Sequence, residues 1–262
     1  MQALHTAATG MAAQELNVQV ISNNIANLRT TGFKKQTAAF QDLIYEHVRR
    51  VGAQSSDQGT ILPVGIDLGG GVKTVGTPRS MTQGTLSQTG NDLDLAITGE
   101  GFFKIQMPDG TFQYTRDGTF QMDNQGRIVT AQGNPVQPTI TIPQNASGIT
   151  VNAQGQVSVT LPGSTTSTII GQIGLTRFIN KASLQPVGNN QFTDTPSSGA
   201  PQDGTAGAEG YGTMTQGSLE QANVDVVSEM SDLIAARRAY EMNAKVISAA
   251  DQMMQSTTAL FR

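Results

Sequence analysis

The sequence predicts an α+β fold: long N- and C-terminal helices paired as a coiled-coil stalk, a central all-β domain, and an extended β-arm. Three observations carry this reading. All ten prolines lie between Pro63 and Pro201, residues 218–262 hold neither Gly nor Pro, and the first 45 residues hold only Gly10 and Gly32. Both ends of the chain carry apolar residues at seven-residue spacing. The middle carries short runs that alternate with period two between turn residues. Gly and Pro punctuate turns and weaken helices, and the two spacings mark helix and strand respectively, so the order helix, β, helix follows.

At the N-terminus, Leu4, Met11, Val18 and Ile25 form one stripe. Ala7, Ile21 and Leu28 lie three residues beyond members of it, and Gln14 interrupts that second stripe. The pattern fits an amphipathic helix of about 27 residues, roughly 40 Å long, with Gly32 placed to stop it. At the C-terminus, Val226, Leu233, Tyr240, Ile247, Met254 and Phe261 keep strict heptad spacing, with Met230 and Ala244 four residues after stripe members. A sustained heptad asks for a long partner helix. Residues 222–260 would span roughly 58 Å as helix. Arg237 and Asp251 break the second seam. Together these segments predict a terminal helical domain of residues 1–45 with 218–262.

The middle reads as closely spaced strands. Phe102–Met107 and Phe112–Arg116 flank Pro108-Asp109-Gly110, a turn signal. Asp117-Gly118 and Asn124-Gln125-Gly126 separate further runs. Ile140–Ile142, Ile149–Val151, Val157–Leu161 and Ile169–Phe178 follow. This predicts a compact β domain over 76–199. Residues 46–75 combine a turn-rich stretch, Gly52 to Gly59, with the alternating Leu62, Val64, Ile66 and Leu68. They predict an extended β-arm, with Gly65 as a pivot, and with 200–217 as a Gly-, Ser-, Pro- and Ala-rich connector.

Composition and motifs point away from catalysis. Charged residues are only 14% of the chain, there is no Cys or Trp, and there are two His. A net charge of -4 and a pI near 5.1 argue against nucleic acid, which needs a clustered basic face. No run of 18 apolar residues predicts a membrane insertion, and no cleavable secretory signal is visible at the N-terminus. His5 and His47 have no neighbouring triad partners in sequence. Asp92 and Asp94 have the spacing to share one face of a strand, but sequence gives no cleft between them. Gly99-Glu100-Gly101 lacks the third Gly and the helix of a dinucleotide loop. Asp123-Asn124-Gln125-Gly126 lacks the later bidentate Glu of a calcium loop. No catalytic residue, cofactor or metal is expected.

What remains is surface. A two-helix stalk leaves Ala8, Leu16, Val20, Val227, Ile234 and Val246 on flanking faces, more than two helices bury. That surplus predicts further copies of the same chain in a symmetric or helical assembly.

Several motifs carry a resemblance. Ser22-Asn23-Asn24-Ile25-Ala26-Asn27 with Thr31-Gly32-Phe33-Lys34-Lys35, Gly99-Glu100-Gly101-Phe102-Phe103, Tyr114-Thr115-Arg116-Asp117-Gly118-Thr119-Phe120, Asn223-Val224-Asp225 and Arg238-Ala239-Tyr240-Glu241-Met242-Asn243 together resemble the bacterial flagellar rod and hook family. The stretch Gly52-Ala53-Gln54-Ser55-Ser56-Asp57-Gln58 with Leu62-Pro63 resembles an insert that separates rod from hook members. The resemblance implies a subunit of the distal part of the rod, forming a rigid helical tube that crosses the periplasm and carries torque from motor to hook. It also implies the partners: further copies of itself, other rod proteins, the hook protein, the rings around the rod, and the flagellar type III export apparatus. The insert, as a rod-specific arm, is where stiffness is expected to arise. A proximal rod or hook subunit of the same family is the alternative.

Overall fold

The computed structural model describes residues 2–49, 64–163 and 166–260, with the side chain of Leu260 left aside. It is an α+β chain with a helix at each end and a mostly β middle. The chain divides into two units. One comprises residues 1–25, 36–78 and 226–262; the other comprises 26–35 and 79–225.

The first unit holds α1 (Gln2–Ala26) and α2 (Val226–Leu260). The Gly- and Pro-free C-terminal stretch gives 35 continuous helical residues, and Glu229 in the first turn complements the positive end of the helix dipole. The polar residues of α2 satisfy themselves: Ser231, Ser248, Ser256, Thr257 and Thr258 each donate to the carbonyl four residues back. Helix α1 does not run to Gly32. It ends at Ala26, where Asn27 opens a turn by accepting from the Thr30 amide at 3.0 Å and the Thr30 hydroxyl at 3.2 Å. The helix thus gives way to a turn closed on the backbone carbonyl of Asn27, five residues before the glycine. Four strands follow among the described residues of this unit: β1 (Ala39–Asp42), β2 (Tyr45–Arg49), β3 (Ile66–Gly69) and β4 (Val72–Gly76). They form two successive antiparallel ladders, β1 with β4 and β2 with β3. Every residue of β2 and β3 is exposed. The predicted arm residues Gly52, Gln54, Ser55, Ser56, Leu62 and Pro63 lie outside the described residues. Gly65 directly precedes β3 and is half-buried.

The second unit is built of short strands: β5 (Leu86–Gln88), β6 (Leu95–Thr98), β7 (Phe103–Gln106), β8 (Phe112–Thr115), β9 (Gln121–Met122), β10 (Ile128–Val129), β11 (Val136–Gln137), β12 (Gly148–Val151), β13 (Gln156–Thr160), β14 (Ser167–Gln172), β15 (Gly174–Arg177), β16 (Gln185–Gly188), β17 (Gln191–Thr193), β18 (Gln202–Thr205), β19 (Thr213–Gln216) and β20 (Ser218–Glu220). The largest sheet has the order β11-β7-β8-β17-β16, and β12-β13-β14 form a second. The Pro108-Asp109-Gly110 turn joins β7 and β8 as expected, with the Gly110 amide donating to the Met107 carbonyl at 3.0 Å. The run Ile140–Ile142 forms no strand, only a bridge at Thr141. The predicted connector 200–217 contains β18 and β19, which pair with β15 and β6. Residues 218–220 form β20, paired with β5, so the C-terminal helix begins only at Val226. Small residues hid these strands from a reading based on apolar alternation.

Period two sorts the core. Phe103 points into the main cluster with Leu95, Ile97, Val157, Val159 and Leu175, and Ile105, two residues on in the same strand, is fully buried. Phe102, one residue earlier, points the other way into an aromatic cluster with Tyr114, Phe178, Leu184 and Phe192. Its rings meet edge to face, at 4.7 Å for Tyr114 and Phe178 and 6.0 Å for Phe102 and Phe178. Each such pair contributes about 0.5–1.5 kcal/mol beyond burial, which itself gives about 1.5–3 kcal/mol per large side chain.

Gly32 has its own task. Its φ is +68°, and a Cβ there would sit 2.7 Å from the Asp117 amide nitrogen and 2.8 Å from the Arg116 carbonyl carbon. Backbone crosses backbone at this point. We predict that Gly32→Ala lowers stability by more than the roughly 1–2 kcal/mol of left-handed strain alone. Urea denaturation followed by circular dichroism measures it, since the chain has no Trp. An unchanged midpoint would remove the close crossing as a constraint.

Candidate assembly surface

The predicted helical stripes occupy two kinds of environment. In α1, Leu4, Met11, Val18 and Ile25 are half-buried, while Ala7, Ala13, Val20, Ile21 and Asn24 are buried. In α2, Leu233 and Ile247 are half-buried, whereas Val226, Met230, Tyr240 and Met254 are exposed. The fully buried positions of α2 lie on a neighbouring stripe: Glu229, Ala236 and Ala250, with Asn243 half-buried at the intervening heptad position. Sequence reading missed this stripe because its members are small or polar. Val227, Ile234, Met242, Val246 and Met253 stand between 47% and 73% exposed, leaving an apolar surface along α2 that the single chain does not cover.

Within the first unit the two helices touch at Asn24 and Glu229. The Asn24 amide nitrogen donates to Glu229 Oε2 at 3.1 Å and to the Gln36 carbonyl at 2.8 Å, and its oxygen accepts from the Gln36 amide at 3.0 Å. Asn24 is 1% exposed, and its nitrogen and its oxygen are both hydrogen-bonded, as a buried amide requires. A second contact lies two heptads away, where Gly10 of α1 faces Asn243 of α2.

The second unit holds a buried ion cluster that no local spacing announced. The Glu220 side chain is fully buried. Its Oε1 accepts from Lys34 Nζ at 2.5 Å and from the Gly84 amide at 2.9 Å, and its Oε2 from Arg116 Nη1 at 3.2 Å. Two buried cations share one carboxylate, so the remaining donors need other acceptors. Lys34 reaches the Thr82 carbonyl at 2.8 Å, and Arg116 the Gly99 carbonyl at 2.7 Å. The Arg116 guanidinium also lies 5.4 Å from the Phe102 ring centre. Arg79 sits between the rings of Phe33 and Phe192 and donates to the Lys34 carbonyl. Burial holds the Lys34 ammonium below its usual range, although Glu220 pulls the other way. Beside the cluster, Asn223 accepts from the Lys35 amide at 2.7 Å and donates to the carbonyls of Ser80 and Thr82. Residues 34–35 and 223 are thus held together within the second unit.

Of the groups considered for catalysis, His47, Asp94 and Asp123 make structural contacts, and His5 and Asp92 are exposed. His47 pairs across the ladder with Asp67, Nδ1 to Oδ1 at 2.6 Å, on the exposed ribbon of β2 and β3. His5 is exposed on α1. Asp92 is exposed while Asp94 is buried and accepts from the Thr89 hydroxyl, so the two do not share a face. Asp123 binds the backbone of its own turn at Gln125 and Arg127, and pairs with the Arg127 guanidinium. Gly99-Glu100-Gly101 leads into β7, a strand. No helix among the described residues is long and apolar enough to cross a membrane.

Three family descriptions match the chain. They are "Flagella basal body rod protein" at residues 4–34, "Flagellar hook protein FlgE/F/G D1 domain" at 96–159 and "Flagellar basal body rod FlgEFG protein C-terminal" at 215–260. The chain is 52% identical over 260 residues to the flagellar basal-body rod protein FlgG of Caulobacter vibrioides, covering 99% of both chains. It is 46% identical to the protein of the same name from Agrobacterium fabrum, covering 97% of both, and 36% identical to that from Bacillus subtilis, covering 100% of both.

The ion cluster takes one residue from each matched segment: Lys34, Arg116 and Glu220. Removing one member of a buried ion pair typically costs about 3–5 kcal/mol, because the other charge stays buried. Glu220→Ala is therefore expected to lower stability by that order, measured by chemical denaturation. Adding Lys34→Met should recover part of the loss. Equal stability of Glu220→Ala and the parent chain would show that solvent reaches the cluster.

Proposed function

The chain belongs to the flagellar basal-body rod protein family and is a structural subunit of the distal rod, and we propose how its parts build that rod. Helices α1 and α2 pair as a coiled-coil stalk, and stalks of neighbouring subunits pack side by side into the wall of a rigid helical tube. The single observation that supports this reading best is the apolar surface of α2. A helix that leaves Val227, Ile234, Met242, Val246 and Met253 exposed in one chain has more apolar surface than its own chain covers. In a tube, copies of the same chain cover it for each other. Torque then passes along a shaft that crosses the periplasm, with other rod proteins at one end, the hook protein at the other and rings around it. The subunit reaches its place through the flagellar type III export apparatus.

Stiffness is assigned to the predicted arm. The β2–β3 ladder is exposed along its whole length and presents Val48, Ile66 and Leu68 to solvent. A two-stranded ribbon is marginally stable alone, and contact with a neighbouring subunit supplies the missing support. Bending a helical polymer requires subunits to slide apart on one side and to compress on the other. Contacts made by the arm oppose both.

Two outcomes test the proposal. Leu233→Asp puts a charge on the stalk, in every copy of the tube. Rods should fail to form while export into the medium continues, and Lys245→Gln should leave swimming intact. Normal rods in Leu233→Asp cells would place Leu233 outside any packed seam. Deleting Gln54–Leu62 should preserve assembly and let the tube curve. Imaging of basal structures decides: straight, stiff rods would reject the arm as the source of rigidity, and absent rods would make it an assembly element.

A further inference from the structure

The apolar stripes of the two helices share a weakness. Leu4, Met11, Val18 and Ile25 on α1, and Leu233, Tyr240, Ile247 and Met254 on α2, repeat every seven residues. Sliding one helix past the other by one heptad returns apolar residues to apolar residues, so these stripes alone do not choose among registers.

The small and polar stripe does choose. Asn24 meets Glu229 through a buried hydrogen bond of 3.1 Å. Moving two heptads back along α1 reaches Gly10, and two heptads forward along α2 reaches Asn243, so the helices run antiparallel between these contacts. At the second contact a Cβ on Gly10 would lie 2.8 Å from Asn243 Nδ2 and 3.3 Å from its Cγ. Gly10 is the only glycine of α1, and it stands where the carboxamide needs room. A slip by one heptad takes Asn24 away from Glu229 and brings an ordinary side chain opposite Asn243. Asn24 also remains bound to the backbone of Gln36 in the native register. A slip one way carries Glu229, 2% exposed here, past the end of α1 and away from this donor; a slip the other way offers it Asn17 but sets Ala3, with a Cβ, in place of Gly10 against Asn243. Losing a hydrogen-bond donor is costly for a buried carboxylate.

We propose that Asn24–Glu229 and Gly10–Asn243 form a polar key that fixes a single register for the helix pair. The key sets how far α2 extends beyond the start of α1, and with it the surface each subunit offers to the next copy. Residues 251–259 at that end of α2 are all exposed. This inference rests on the stalk reading above, but its test does not depend on rods being made.

The chain contains no Cys, so paired cysteines report register directly. Ala3→Cys with Ala250→Cys reports the native register in the purified full-length chain. Ala3→Cys with Thr257→Cys, and Ala7→Cys with Ala239→Cys, report slips of one heptad in either direction. Each pair is placed in three backgrounds: unaltered, Glu229→Gln, and Asn24→Leu with Glu229→Leu. Glutamine keeps an acceptor for Asn24, whereas the leucine pair keeps apolar contact and removes the key. Only the native intrachain disulfide should form in the first two backgrounds. With the leucine pair, slipped disulfides should rise to an abundance comparable with the native one. A native-only pattern with the leucine pair would overturn the proposal, as would slipped products in the unaltered chain. Loss of every disulfide with the leucine pair would also overturn it, since the residues would then serve pairing itself and not register. Failure of the stalk reading has a different mark: absent tubes, or Leu233→Asp cells with normal rods, alongside an unaltered disulfide pattern.

Discussion

The second unit depends on one carboxylate. Glu220 is buried completely, and a bare charge there would be intolerable, so the fold must deliver donors to it from wherever the chain holds them. Lys34 arrives from the segment after α1, Arg116 from the end of β8, and the Gly84 amide from the approach to β5. The arrangement carries more positive than negative charge. Carbonyls of Thr82 and Gly99 and the faces of Phe33, Phe102 and Phe192 take up the excess. That explains why the aromatic cluster sits beside the ions and not in the main core. It also explains the close crossing at Gly32, two residues before Lys34, where a side chain would hold the segment away from Arg116.

The same economy of polar groups recurs in the helices. Asn24 spends its three hydrogen bonds on one side chain and one residue of backbone. Such groups add less net stability than well-packed hydrocarbon, but they tolerate few alternatives. Hydrocarbon gives the helices a reason to associate, and the amide and carboxylate decide where.

Much of this architecture was legible in the sequence, for physical reasons that also explain the failures. Helix α2 is written plainly, because 35 residues without Gly or Pro and with a heptad of large side chains have few other options. Strands β7 and β8 are equally plain, since alternation and a Pro-Asp-Gly turn agree. Strands β18 and β19 were hidden, because Gln202–Thr205 and Thr213–Gln216 pair through backbone and carry few large side chains. The apolar stripe located the helices but not their innermost contact, which uses Glu229, Ala236, Asn243 and Ala250 and leaves no hydrophobic trace. Lys34, Arg116 and Glu220 each stood inside or near a recognisable motif. Nothing in their spacing revealed that they meet, because that is a property of the folded path.

The separation of these partners along the chain has a consequence in time. Lys34 and Glu220 are 186 residues apart. A chain that emerges from a narrow channel one end first, whichever end leads, presents one of these charges long before the other. Until both are outside, the cluster has either cations without an anion or an anion without its cations, and the core around it does not close. Loop closure over such a span is slow in any case. In any such passage the second unit stays open until nearly all of the chain has arrived.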